Sequence, residues 1–225
     1  SDPEIWKRVA SLSLRMVEAF DTVTRFNLGG GYKVARVDGE KPTDLQSIAE
    51  PVVALLEGFA ERTGRRIHIE IEPGTLLVAN AGAVLSRVQD TVDTGPDGYH
   101  FYKLDCGMTE ILRPSLYGSQ HPVDILQETP GSTRKAAIVV GHCCESGDIL
   151  TPAPGDAEAL ATRTLPEAQT GDLVLIGGAG AYCSAMAAKN YNSFPEAPEV
   201  LLKADGSFCL IRKRQTLTQI LANET

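Results

Sequence analysis

Residues 141–148 read GHCCESGD, which sets a histidine, two thiols and two carboxyls in one short stretch. Three chemistries are open to such a set. His142, Cys143, Cys144, Glu145 and Asp148 are all metal-ligand types. Adjacent ligands reach one tetrahedral ion poorly, however, and the sequence has no second Cys or His pair at zinc spacing. If the segment is extended, Cys144 and His142 alternate along it and could form a thiol–imidazole pair, although an orienting base usually comes from elsewhere in the sequence. The third reading is a turn around a buried, inert thiol.

Four other stretches carry polar groups at suggestive spacing. NLGGGY (27–32) runs Gly29, Gly30 and Gly31 together at a strand end. Such a turn bares consecutive backbone N–H groups to a phosphate, and a ligand-free tight turn has the same signature. IEIEPG (69–74) puts Glu70 and Glu72 on one strand face, because side chains alternate with period two. Glu72 could then accept a hydrogen bond from a protonated heterocycle, or simply face water. DCGMTEILRPSLYG (105–118) holds Asp105, Glu110, Arg113 and Tyr117. On a helix Arg113 and Tyr117 share a face and can grip one carboxylate. Pro114 keeps that helix short, and a surface Arg113–Glu110 pair is the alternative. GGAGAYCSAM (177–186) offers Tyr182 and backbone N–H groups as a second anion contact, or a close-packed run of small residues.

Those groups need elements to position them. Apolar residues at helical spacing (Ile5, Val9, Leu12, Met16, Phe20) predict a helix over 4–20, capped by Ser1 or Asp2 with Pro3 in its first turn. VTRFNLGGG predicts a strand. Leu45, Ile48, Val52, Leu55, Leu56 and Phe59 predict a helix over 43–63, with Pro51 as a break or kink. RRIHIEIEPG predicts a strand running into a turn. Helix, strand, helix, strand points to a parallel sheet or a piece of a (β/α) barrel. Beyond residues 82–90 the character changes. AVLSRVQDTVDT, YHFYKLDCG, AAIVVGHCC, DLVLIGGAGAY, EVLLKADG and SFCLIRKR read as strands, with TGPDG and ETPGS as turns. AYCSAMAAKN and TLTQILANET read as short helices, the latter with Leu217, Ile220 and Leu221 on one face. The expected fold is therefore α/β over 1–82 and mostly β over 83–225.

The chain has 225 residues, 43% of them hydrophobic, and a formal charge of −8. With a pI near 5.0, that charge argues against a general nucleic-acid or lipid-surface binder, while leaving room for a local basic pocket. No apolar run approaches the roughly 20 residues of a membrane span, and SDPEIWKRVA has no secretory apolar region. Five cysteines, an odd number, predict reduced thiols and a cytoplasmic protein rather than a disulfide framework.

Taken in order, NLGGGY, EPG followed by ANAG, DCGMTEILRPSLYGSQHP, CESGD and GAGAYCSAMAAKNYN resemble the diaminopimelate decarboxylases. These are pyridoxal 5′-phosphate enzymes with an alanine-racemase-like fold, a (β/α)8 TIM barrel followed by a β-sandwich or β-barrel domain. The resemblance covers nearly the whole chain, and its LRPSLYG and CESGD motifs are the more specific. It implies decarboxylation of meso-2,6-diaminopimelate to L-lysine and CO2, a step of lysine biosynthesis. It further implies that Gly29, Gly30, Gly31, Gly74 and Tyr182 contact the cofactor and that Glu72 meets the pyridine nitrogen. Arg113 and Tyr117 would bind the distal carboxylate and Glu145 the distal amine. Tyr191 would line the site, and Cys144 would be the proton donor. It implies no metal. The CESGD loop would reach into a neighbouring subunit's site, so a homodimer is expected.

Two departures from the family pattern stand out. Where the family has EPGR, this sequence has Glu72, Pro73, Gly74 and Thr75. A threonine cannot make the charged fork of an arginine, so the substrate could instead be arginine, ornithine or carboxynorspermidine. A non-catalytic regulatory homologue is a further alternative. Secondly, the Schiff-base lysine segment has no counterpart here; Lys7, Lys33, Lys103 and Lys189 do not match it. The chain is expected to be the C-terminal half of an enzyme and inactive without the N-terminal barrel half.

Overall fold

A computed structural model describes residues 2–127 and 133–225. The expected ETPGS turn at 128–132 and a capping role for Ser1 lie outside the described residues. The chain separates into two compact units, Ser1–Ala79 and Asn80–Thr225. The split falls three residues before the boundary expected at 82.

The first unit is built of helices on a short parallel strand pair. Helix α1 (Pro3–Glu18) starts where Asp2 accepts a hydrogen bond from the Glu4 N–H at 3.0 Å, with Pro3 at its first position. Strand β1 (Arg25–Asn27) is followed by helix α2 (Leu45–Thr63), and strand β2 (His68–Glu70) then pairs parallel to β1 with Phe26 opposite Ile69. A short helix α3 (Gly74–Val78) closes the unit. The Asp44 carboxylate caps α2 by accepting from the N–H groups of Gln46 and Ser47, and Gly64 ends it in the left-handed conformation at φ +70°. The helix runs unbroken through Pro51. The expected break does not occur, because packing of Ile48, Val52 and Phe59 on both sides of the proline offsets the one missing backbone bond.

The buried face of α1 differs from the one its spacing suggested. Trp6, Ala10, Leu14 and Val17 enter the core, whereas Ile5, Val9, Leu12, Met16 and Phe20 face outward, Met16 being 68% exposed. The helix carries two apolar stripes, and the periodicity of one is as good as that of the other. The choice falls to Trp6, whose ring stacks on Tyr32 at 4.6 Å between centroids. Arg65 then ties the loop after α1 by donating to the carbonyls of Val17, Phe20 and Val23.

The second unit is mainly β. Strands β3 (Val84–Asp93) and β4 (His100–Leu104) lead to a one-turn helix α4 (Arg113–Tyr117). Then come β5 (Val123–Leu126), β6 (Arg134–Val140), β7 (Pro152–Ala153), β8 (Asp156–Leu160), β9 (Arg163–Pro166) and β10 (Leu173–Ile176). A hairpin of β11 (Glu199–Leu202) and β12 (Phe208–Arg212) and a short helix α5 (Leu217–Ile220) complete it. Six strands form one sheet in the order β5-β10-β3-β4-β6-β9, antiparallel except for the parallel β4–β6 pair. Its edge strands β5 and β9 touch, so the sheet nearly closes into a barrel. Inside lie Val88, Tyr102, Leu104, Ile111, Val139, Leu150, Val174 and Ile176. The short helix expected over AYCSAMAAKN is instead a series of turns, because Tyr182 takes φ +56°, which a right-handed helix does not allow.

Among the described residues no helix is long and apolar enough to cross a membrane. Replacing Asp44 with Ala should lower stability by about 1 kcal/mol, and Asp44→Ser should restore most of the loss, as read by urea denaturation followed through helical circular dichroism.

Candidate functional site

In the first unit the chemistry sits where β1 and β2 end together. Each glycine of the 29–31 turn has its own reason. Gly29 and Gly31 take φ +72° and +93°, and a Cβ on Gly30 would lie 2.7 Å from the Glu72 carbonyl oxygen. The close approach is fixed from both strands. The Glu72 N–H donates to the Gly29 carbonyl at 2.9 Å, and the Gly29 N–H donates to Asn27 Oδ1 at 2.6 Å. Asn27 Nδ2 donates to Glu72 Oε1 at 2.9 Å, so the same asparagine orients the carboxylate. Glu70, its expected companion, pairs with Arg25 at 2.7 Å. Gly74 opens α3, its N–H donating to the Glu72 carbonyl at 2.9 Å. The result is an exposed, oriented acceptor beside a turn stripped of side chains.

In the second unit the GHCCESGD segment leaves the sheet at Val140. It is a turn, not the extended strand end that would alternate His142 with Cys144. The turn closes where the Gly141 N–H donates to the Asp148 carbonyl at 2.8 Å and Val140 bridges Ile149. Asp148 is buried, and its carboxylate accepts from the Met108 N–H at 2.8 Å and the Cys143 N–H at 2.9 Å. Any Cβ on Gly107 or Gly141 would collide with that carboxylate. Asp148 is thus the staple between the loop after β4 and the cysteine turn. Among the described residues no cluster of three ligand-type side chains is placed to hold a metal ion.

The two adjacent thiols part company. Cys144 is exposed. Cys143 is half-buried, and burial together with the nearby Asp148 carboxylate pushes its thiol up to about 12. Cys106 lies in the core, where burial pushes its thiol far above the usual range. Glu145 Oε1 accepts from the Gly147 N–H at 3.1 Å, and Oε2 accepts from the Tyr191 hydroxyl at 3.3 Å. Both bonds hold its carboxyl below the usual carboxylate range. The His142 ring stacks on Phe194 at 3.6 Å, and its Nε2 lies 2.7 Å from Thr109 Oγ1. Thr109 spends its one proton on Glu110 Oε2, so the imidazole N–H donates in that bond.

Arg113 and Tyr117 share α4 as their spacing predicted. The guanidinium lies 5.3 Å from the Tyr117 ring and 6.0 Å from that of Tyr182, so it is held between two tyrosines. Its Nη2 donates to Ser119 Oγ at 3.3 Å, and its Nε is buried with no hydrogen-bond partner among the described residues. It does not pair with Glu110, which binds Thr109 and the Gly107 N–H instead. Asp105 is likewise structural, accepting from Ser86 Oγ and the Arg87 N–H. Of the lysines, Lys7 pairs with Glu4, Lys103 with Asp90 and Lys189 with Glu196.

The structure therefore brings Gly29, Gly30, Gly31, Glu72 and Gly74 together in one unit. In the other it groups Arg113 with Tyr117 and Tyr182, and Cys144 with Glu145 and Tyr191. Spacing does not single out Asn27, Asn192 or Phe194, and it shows Asp148 only as a ligand type, not as the acceptor that holds two loops. The asparagine-rich NYN segment, whose residues tolerate left-handed backbone, was the available signal.

Comparison with known proteins follows this geometry. Residues 11–180 match the family model described as pyridoxal-dependent decarboxylase, C-terminal sheet domain. The diaminopimelate decarboxylase of Escherichia coli (strain K12) is 35% identical over 214 residues, covering 93% of this chain and 50% of that protein. A crystal structure of a diaminopimelate decarboxylase superposes with a TM-score of 0.89 at 33% identity, over 99% of this chain and 53% of the other. The Helicobacter pylori diaminopimelate decarboxylase, complexed with L-lysine, gives a TM-score of 0.80 at 30% identity, over 99% of this chain and 50% of the other. The chain spans about half the length of the curated relatives it matches. It belongs to the pyridoxal-dependent decarboxylase family.

Two outcomes are expected at the cysteine turn. Asp148→Ala removes the acceptor of two part-buried N–H donors and should cost about 1–2 kcal/mol in chemical denaturation. Burial and the nearby Asp148 carboxylate push the Cys143 thiol up, so it stays protonated at pH 8. Iodoacetamide at that pH should therefore label Cys144 and spare Cys143, as read by peptide mass spectrometry.

Proposed function

We propose, with membership of this decarboxylase family as the premise, that the chain is the C-terminal half of an enzyme converting meso-2,6-diaminopimelate to L-lysine and CO2. Its first unit would be the closing part of a (β/α)8 barrel, and its second a β domain of the alanine-racemase type. The observation that carries the substrate reading is Arg113. A guanidinium set between two tyrosines, its buried Nε having no partner among the described residues, is suited to a carboxylate that does not react.

The residues present fit pyridoxal 5′-phosphate at both of its ends. Gly29, Gly30, Gly31 and Gly74 would hold the phosphate, and the family resemblance gives Tyr182 as a further cofactor contact. The oriented Glu72 carboxylate would accept from the ring nitrogen. When bound, the cofactor supplies a sink for the electron pair left behind as CO2 departs. Arg113 and Tyr117 fix the distal carboxylate, so that the other carboxylate is the one placed for loss. Glu145, held ionised by Tyr191 and Gly147, accepts from the distal ammonium. Cys144 delivers its proton to the carbon that has lost CO2, with the exposed thiol presented by a turn that Asp148 pins. The lysine that carries the cofactor would come from an N-terminal barrel half. The cysteine turn of one protomer would serve the cofactor groups of its partner, in a homodimer working in the cytoplasm.

Kinetics of the complete enzyme test this reading. Arg113→Ala should raise KM for meso-2,6-diaminopimelate roughly 30-fold, equivalent to about 2 kcal/mol. Cys144→Ala should lower kcat about 100-fold with native circular dichroism. An unchanged KM in the first would place the distal carboxylate elsewhere, and an unchanged kcat in the second would remove Cys144 from proton transfer.

A further inference from the structure

The Cys144 turn is fastened from one side by a segment of which the proposed chemistry uses only Tyr191. Residues 191–194 meet it three times. Tyr191 donates to Glu145 Oε2 at 3.3 Å, Asn192 Oδ1 accepts from the Cys144 N–H at 2.9 Å, and Phe194 stacks on His142. The segment adopts a backbone that non-glycine residues avoid. Asn190, Asn192 and Ser193 take φ +60°, +49° and +63°. Such strain persists where the surroundings over-determine it, and here they do. Asn190 Nδ2 donates to the Phe194 carbonyl at 3.0 Å and to Gln215 Oε1 at 2.5 Å. The Ala188 N–H donates to the Met108 carbonyl at 2.9 Å, and Met108 is itself held by Asp148.

We propose that Asn192 is a positioning residue for Cys144, using its left-handed backbone to aim an amide oxygen at the Cys144 N–H and so fix where the thiol points. Two features make the side chain specific. Asparagine tolerates φ +49° better than most residues, and its short amide places an acceptor without spare rotamers. Cys144 is held at both neighbours as well. The Cys143 N–H goes to Asp148 and the Glu145 carboxylate to Tyr191, so Asn192 supplies the remaining constraint, on Cys144 itself.

The inference rests on the decarboxylase reading for its effect on turnover, while the tether itself can be read without turnover. The experiment compares Asn192→Gly, which accepts the backbone angle but lacks the acceptor, with Asn192→Asp, which keeps both, in the complete enzyme. Amide hydrogen exchange should show Cys144 protection falling about tenfold in Asn192→Gly with β6 and β10 unchanged, and near-normal protection in Asn192→Asp. In decarboxylation, Asn192→Gly should lower kcat about 10- to 100-fold with KM within about twofold, and Asn192→Asp should recover most of it. Unchanged Cys144 exchange in Asn192→Gly would overturn the tether. Lost protection with an unchanged kcat would overturn the positioning role. Absence of decarboxylation by the unaltered enzyme would instead overturn the decarboxylase reading, with the exchange arm still deciding the tether.

Discussion

The second unit depends on one buried carboxylate. Asp148 sits between two glycines that have no room for a side chain, and it accepts from backbone N–H groups on two separate loops. Low polarity around a carboxylate makes each such bond strong and an unmade one costly. The bonds also close a ring. Asp148 holds Met108, Met108 holds Ala188, the following turns bring Asn192 to Cys144, and Cys143 returns to Asp148. A turn containing two thiols, a histidine and a glutamate thereby gets one conformation rather than several. Its members then divide by environment: Cys143 and His142 inward, Cys144 and Glu145 outward.

The first unit solves a related problem with backbone alone. Two parallel strand ends approach so closely that Gly30 has to be glycine, and Asn27 spends both ends of its amide there, one on the turn and one on Glu72. The two units thus contribute different things. One offers an anion-tolerant turn and a fixed acceptor; the other offers a guanidinium, an ionised carboxylate and a thiol. These two sets of groups are built on separate cores, each with its own packing.

Much of this was legible in the residues. Apolar residues at helical spacing marked α2, the segments holding β3, β4, β6 and β10 read as strands, and the Arg113–Tyr117 spacing gave a shared helical face that the structure contains. The failures have physical causes. In α1 two apolar stripes compete, and only tertiary stacking of Trp6 on Tyr32 chooses between them. In AYCSAMAAKN good helix formers are overruled by the positive φ of Tyr182. Strands as short as β7 or β9 hold too few residues to show a period. Asp148 and Asn192 act through backbone N–H groups distant in sequence, and no local spacing encodes such a partner. Spacing alone does not group these polar residues into one reaction; that grouping is what the family resemblance implies.

This chain's arginine and cysteine turn are proposed to serve a decarboxylase acting on an amino acid with a second, distal carboxylate. The most direct test is CO2 release by the full-length protein with pyridoxal 5′-phosphate, comparing meso-2,6-diaminopimelate with lysine, ornithine and arginine at equal concentration. The account predicts release from meso-2,6-diaminopimelate with L-lysine as the product, and a kcat/KM well above that of the substrates lacking a distal carboxylate. Equal or greater turnover of ornithine or arginine, or no CO2 from any of them, would contradict it.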